Sequence, residues 1–344
     1  MAERALCLDI GSGTQDVYYY NPALEPENCP KFVLPAPARL VAARLAELTL
    51  AGKPVYLCGR NMGGGFFKAV RAHLKAGLPL AAHPDAVWAL TDDPERLRAT
   101  LGIAVTDRRP DGHVPLPLAD YEPGFWKAFL AAASLPEPEL VLACAQDHGL
   151  HPGKSSREGR FKLWEKFLRE ADGRPDALVY ETPPRELTRL AVLQQSIGGG
   201  AVADSAAAAV LGLLTDPVIK ARTAETGAML VNIGNSHTLA ALVFRDRIHG
   251  IYEHHTGMLT SEEVWADLER FRRGALPNAE VFDRGGHGCL TLPLPDPSCI
   301  FPYTSVIGPK RALLTGFDVD FPSPGGDMML TACFGLARWL RGRR

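Results

Sequence analysis

Residues Asp9-Ile10-Gly11-Ser12-Gly13-Thr14-Gln15-Asp16 place a carboxylate at the end of an apolar run and follow it with glycines and hydroxyls. Glycine lets the backbone turn tightly and brings N–H groups close to a ligand, and hydroxyls add donors. Asp9 is suited to hold a divalent cation, through water. This is chemistry for a phosphate. Val17-Tyr18-Tyr19-Tyr20 continues in strand formers, so the stretch reads strand, turn, strand. A plain tight hairpin is the alternative reading. The dinucleotide fingerprint does not fit, because its third glycine is replaced by Asp16 and no helix follows.

A second stretch repeats the design. Met229 to Ile233 is an apolar run containing Asn232, Gly234-Asn235-Ser236-His237-Thr238 is a polar turn, and Leu239 to Phe244 resumes as strand. Two such hairpins in opposite halves of one chain point to an internal repeat.

Other groups carry weaker signals. Gln146-Asp147-His148-Gly149 follows the apolar strand Leu140 to Ala145, and ligands collect beyond the carboxyl ends of strands in open α/β sheets. Asp147 is therefore the leading candidate for acid–base work, against an ordinary turn. Gly149 to Ser155 approaches a phosphate-loop pattern but has three residues between its glycines where four are required. Lys154, Arg157 and Arg160 could bind an anion or form a solvated basic loop. Gly59 to Gly65 follows a strand and precedes a helix, which suits either an anion or close helix–sheet packing. His249, His254 and His255 suggest metal, but no second cluster with ligand spacing supports them.

These groups need a scaffold. The chain has 344 residues, 46% hydrophobic and 22% charged, enough for two or three soluble domains. A net charge of −2 gives no polyelectrolyte signal, so neither nucleic acid nor an anionic membrane is a favoured partner. No signal peptide is read and the longest apolar stretch is too short to span a bilayer, so a cytoplasmic protein is expected. The seven cysteines show no CxxC spacing and no CxxxCxxC, which leaves no ligand set for a radical-generating cluster.

Helices are expected at 38–50, 66–75, 125–133, 160–170 and 186–195, with Asp204 or Ser205 capping an alanine-rich helix to Leu214. Thr260 and Glu263 make a capping box. Pro22 to Pro37 reads as a loop-rich crossing, and residues 106–124 read as an exposed loop. A small-residue helix from Met328 to Leu340 closes the chain.

The order of these parts resembles the actin, sugar-kinase and heat-shock-chaperone ATPase superfamily. The resemblance implies an α/β, two-lobed, actin-like (ribonuclease H-like) fold with a nucleotide cleft between lobes. It implies lobe I at 1–215, lobe II at 216–327 and a C-terminal helix at 328–344 returning to the interlobe region. It implies ATP and Mg²⁺ as cofactors, with Asp9 on the metal. Gly11, Ser12, Gly13, Thr14 and Gln15 would form the first phosphate loop, and Asn232, Gly234, Asn235, Ser236, His237 and Thr238 the second. Gly308-Pro309 would take the adenosine-loop position. Asn232 departs from the usual Asp, which weakens cation binding there. Asp147 would orient an acceptor, since sugar kinases have a similar Gln-x-His-Gly stretch near their substrate.

More narrowly, Gln146 to Gly149, Glu253 to Gly257 and Gly308 to Arg311 resemble a family often labelled pyruvate formate-lyase activating protein, although the cluster cysteines are missing. The expectation is an ATP-dependent phosphotransferase acting on a small molecule, with homo-oligomerisation compatible. The alternative is a nucleotide-binding regulator or slow ATPase whose output is lobe closure.

Overall fold

The computed structural model describes residues 3–91, 93–151, 155–294, 296 and 298–343. Strands β1 (Ala5–Ile10) and β2 (Thr14–Tyr20) form the first hairpin, and β3 (Lys31–Pro35) extends it antiparallel. The expected loop crossing thus contains a strand, because Phe32 and Leu34 pack on the sheet between the prolines.

The chain then leaves this sheet to build a parallel one from β4 (Val55–Gly59), β5 (Leu80–Ala82), β6 (Ala104–Val105) and β7 (Val114–Leu118). Its order is β6-β5-β4-β7, with its own core around Leu45, Leu57, Phe66 and Val70. Strand β7 corrects the expectation of an exposed loop over 106–124. Leu116 and Leu118 alternate inward while Pro115 and Pro117 face out. Proline, which cannot donate to a ladder, is tolerated because β7 is an edge strand paired only with β4.

Returning, β8 (Leu140–Ala145), β9 (Val179–Tyr180) and β10 (Val202–Ala203) complete the first sheet in the order β3-β2-β1-β8-β10-β9. The second half repeats the plan with β11 (Ala228–Ile233), β12 (His237–Phe244), β13 (Arg247–His255), β14 (Gly288–Thr291) and β15 (Tyr303–Ile307). Its order is β14-β13-β12-β11-β15. In both sheets an antiparallel meander leads, and a later strand lies parallel to the first strand: β8 beside β1, and β15 beside β11. This duplicated order is the two-lobed, actin-like fold.

The expected helices form with small shifts at their ends. The helix beginning near Arg160 starts earlier, at Ser156, and runs to Glu170. Thr260 and Glu263 make the reciprocal capping box. Helix Ser205–Leu213 is capped by Asp204, whose Oδ1 accepts the Ala206 N–H at 2.9 Å. Helix Thr331–Gly342 packs against it through small residues. A Cβ on Gly335 would stand 2.9 Å from the carbonyl carbon of Ala208, and one on Gly212 would stand 2.7 Å from that of Thr331. The two helices therefore meet through a glycine-to-backbone contact at two points. All seven cysteines are free, and only Cys58 is not buried. Among the described residues, no helix is long and apolar enough to cross a membrane.

Candidate functional site

The two glycine hairpins face each other. In the first, Gly11 N–H donates to Thr14 O at 3.0 Å; in the second, Gly234 N–H donates to His237 O at 2.9 Å. The register is also the same, with Asp9 opposite Asp16 and Asn232 opposite Leu239. Ser12 Oγ lies 2.7 Å from Ser236 Oγ, and a Cβ on Gly13 would collide with the Asn235 amide. Any larger residue at 13 would have to displace the Asn235 side chain from the opposing loop.

Beyond this contact opens a cleft of about 1430 Å³. It is lined by Asp9, Gly11, Ser12, Thr14, Asn232, Gly234, Asn235, Ser236, His237, Gly308 and Pro309. Gly13, which meets the opposing loop, does not line it, and neither do Gln15 and Thr238. Side chains alternate along a strand, which turns these two inward. Thr238 is buried and its Oγ1 is 3.1 Å from Thr256 Oγ1. Thr256 holds the second loop from behind, donating from Oγ1 to Gly234 O at 2.9 Å and from its N–H to Ser236 O at 2.9 Å.

Gly308 adopts φ +102°, and a Cβ there would stand 2.6 Å from Asn232 Oδ1. Only glycine lets this turn sit against the second loop. Lys310 N–H donates to Ile233 O at 3.0 Å and fixes it there.

Asp9 accepts hydrogen bonds from Ser205 Oγ at 2.6 Å and Cys144 Sγ at 3.3 Å. Burial pushes its carboxyl above the ordinary range, against these bonds. Asp16, cross-strand from Asp9, is a residue that sequence reasoning placed only in the turn. Burial, and then the negative charge of Asp9, raise it to about 8. Its Oδ1 is buried with no hydrogen-bond partner. Two carboxylates facing each other, one with an orphaned oxygen, are a donor set that suits a hard cation.

The base assignment changes character. Asp147 is 5% exposed, and its oxygens accept the Gly149 N–H at 2.8 Å and the Leu190 N–H at 3.0 Å. Burial raises its pKa against both bonds. The carboxylate is committed to shaping the loop that carries His148 and to satisfying the first turn of helix Thr188–Ser196. In this geometry Asp147 positions its neighbours.

The basic residues are also engaged. Arg157 donates to Phe282 O at 2.8 Å and Gly286 O at 2.6 Å. Arg160 is buried, 2.6 Å from Asp204 and 3.1 Å from Glu253. Lys154 lies outside the described residues. At the turn 59–65, Asn61 to Gly65 line the cleft, and a Cβ on Gly65 would meet Ala38 at 3.2 Å and Ser12 O at 3.5 Å. The close-packing reading of that turn is the one its contacts favour.

The histidines are distributed in an unexpected way. Cross-strand pairing sets His237 opposite His255 and Thr238 opposite His254. Alternation therefore directs His237, His255 and Glu253 to the cleft face and His254 to the other. His148 and His287 join from elsewhere, with their Nε2 atoms 3.1 Å apart. Burial lowers His148 well below its usual value, His237 to about 4 and His287 to about 3, so all three rings are neutral near pH 7. Glu253 is fully buried, which opposes its charge, yet Arg160 and the surrounding histidines hold it well below the usual carboxylate range. Sequence spacing pointed to His249, His254 and His255 and missed this group, whose members are separated by tens of residues.

Comparison with solved structures gives similarity over most of the chain at low identity. The ethanolamine utilization protein EutJ from Carboxydothermus hydrogenoformans is 10% identical, with 98% of this chain and 90% of that one covered at a TM-score of 0.33. The activator of 2-hydroxyisocaproyl-CoA dehydratase from Clostridium difficile, solved with bound ADPNP, is 9% identical, with 99% and 95% covered at 0.34. An exopolyphosphatase-like protein is 8% identical, with 82% and 60% covered at 0.27. At these TM-scores, the fold assignment stands on the duplicated strand order described above. No curated protein matches the chain. A family model does match, over residues 62–313, well beyond half the chain. By that match the chain belongs to the family described as "Putative pyruvate format-lyase activating enzyme (DUF1786)".

Proposed function

We propose that this protein binds ATP with Mg²⁺ in the cleft between its two hairpin loops and acts as a phosphotransferase on a small molecule. The observation that carries this reading is the pair of equivalent glycine hairpins, with the same turn hydrogen bond and the same register, meeting at Ser12 and Ser236. Lobe I is assigned to 1–215 and lobe II to 216–327, with the chain from 328 onward returning to the first lobe.

In this reading the loop amides and hydroxyls of 11–14 and 234–237 bind the β- and γ-phosphates. Asp9 and Asp16 hold the magnesium ion, which when bound neutralises phosphate charge. Gly308-Pro309 borders the adenosine. Catalysis then consists of positioning and charge stabilisation. A cleft of about 1430 Å³ leaves room for an acceptor beside a nucleotide.

One observation favours the second reading, a nucleotide-binding regulator or slow ATPase. Asp147, the sequence candidate for the base, is buried and already accepts one backbone N–H on each oxygen. Thermal unfolding with Mg-ATP, Mg-GTP, NAD and no ligand tests binding. A ligand at a hundredfold its Kd stabilises by about 2.7 kcal/mol. A shift with Mg-ATP is expected; no shift with any nucleotide at millimolar concentration sinks both readings. Phosphorylated product in a metabolite screen supports the first reading. Slow hydrolysis with a nucleotide-dependent change of shape supports the second.

A further inference from the structure

We propose that His148, His237 and His287, with Glu253, form a binding site for a late first-row divalent cation of the zinc type, linking the two halves of the molecule. One nitrogen from each imidazole and one Glu253 oxygen all lie within 4.8 Å of one another. The His148 and His287 Nε2 atoms are already 3.1 Å apart. Ligands about 2.0–2.1 Å from a tetrahedral ion stand about 3.3 Å from each other, so the remaining members need close by at most about 1.5 Å.

The donor set selects the ion. Three imidazoles and one carboxylate suit zinc and its neighbours, whereas magnesium and calcium prefer all-oxygen sites. The site is therefore chemically distinct from the Asp9–Asp16 pair. His237 Nε2 is buried without a hydrogen-bond partner, an arrangement that is costly unless something satisfies it.

The surroundings are built. Glu253 Oε2 accepts from Arg160 Nε at 3.1 Å and Trp164 Nε1 at 3.0 Å, and Oε1 accepts from Gln146 Nε2 at 2.5 Å. Two donors fill Oε2, while Oε1 keeps a free lone pair for a cation. The Arg160 charge is matched by two carboxylates, Asp204 and Glu253, so the trio carries one net negative charge toward the ion. The His287 backbone N–H donates to Glu253 O at 2.9 Å, and Arg157 clamps the carbonyls of Phe282, in helix Asn278–Asp283, and of Gly286 on the loop. A Cβ on Gly286 would clash with His254, so glycine at 286 is what lets the loop bring His287 in.

His148 follows β8 in the first sheet, while His237 on β12, Glu253 on β13 and His287 before β14 belong to the second. A bound ion thus ties the halves together beside the second glycine loop.

The test uses the full chain, freed of metal with a chelator and titrated with Zn²⁺ alone, and separately with Co²⁺ to read coordination from its visible spectrum. One equivalent per chain is expected, with a tetrahedral cobalt spectrum lacking a sulfur charge-transfer band. Each of His148→Ala, His237→Ala and His287→Ala should weaken Zn²⁺ at least a hundredfold, and His113→Ala, in the turn before β7, should not. His237→Gln and His287→Gln, checked for native circular dichroism, repeat the test should the alanine variants unfold. The proposal is overturned if the unmodified chain binds no stoichiometric Zn²⁺ at micromolar concentration, or if a thiolate band reports cysteine ligation. Unchanged affinity in His148→Ala overturns the link between halves. No nucleotide enters this experiment, so its result is independent of the ATP reading.

Discussion

Ser12 Oγ and Ser236 Oγ are 2.7 Å apart although 224 residues separate them in the chain. Each sits in a glycine turn closed by the same backbone hydrogen bond, so the contact joins two copies of one device. Anything bound between the loops must sit against both, and binding and the relative placement of the two halves are therefore coupled.

Asymmetry between the copies gives the first prediction. The first hairpin offers Asp9 and Asp16; the second offers Asn232 and Leu239 at the matching positions. Asp9→Ala should abolish the Mg²⁺-dependent part of any nucleotide-induced rise in Tm. Asn232→Asp adds a carboxylate to the weaker loop and should enlarge that part. Parallel melts with ATP in magnesium and in chelator decide both.

Asp16 makes stability depend on pH. Its folded pKa of about 8 lies above the usual carboxylate value, so the native state retains a proton that the unfolded chain loses. The stability gained from that proton is full below about pH 4 and is lost as pH rises toward 8. Asp16→Asn should remove this slope and melt a few degrees higher than the unmodified chain at pH 8, with a smaller difference at pH 5. Metal-free melts across pH 5–8 check it.

Arg160 joins Asp204 and Glu253 in a buried trio and also donates to Asp147 O at 2.9 Å. Arg160→Met leaves two buried carboxylates without their cation, which costs about 3–5 kcal/mol. Arg160→Lys should recover only part of this, because an ammonium cannot reproduce the guanidinium fork. Denaturant unfolding of the three proteins gives the comparison.

Gly335 and Gly212 set the spacing of helices Thr331–Gly342 and Ser205–Leu213. Gly335→Ala inserts a methyl against backbone and should cost about 1–3 kcal/mol despite alanine's better helix propensity. Gly342→Ala, at the open end of the same helix, should be neutral or slightly stabilising. Opposite signs in Tm confirm the close approach, and a stabilised Gly335→Ala refutes it.

Local chemistry was written in the sequence. The hairpins at 9–16 and 232–239, the Asp204 cap, the Thr260–Glu263 capping box and the small-residue helices all rest on contacts between near neighbours, which residue order dictates. The motif recurs in both halves, and the resemblance that its order with the other parts carries implies the two-lobed fold. Burial across long distances was not legible. Polar, Pro/Gly-rich composition over 106–124 reads as loop, and only an edge position beside β4 makes the prolines of Val114 to Leu118 acceptable in a strand. Asp147 was read as a base because strand ends collect ligands, but only the fold brings the Leu190 N–H to its carboxylate. The histidines show the division most clearly. Adjacent His254 and His255 point to opposite faces of β13 because a strand alternates, while His148, His237 and His287 meet because strand ends of the two sheets border one cleft. Spacing along the chain carries the first fact; only tertiary structure supplies the second.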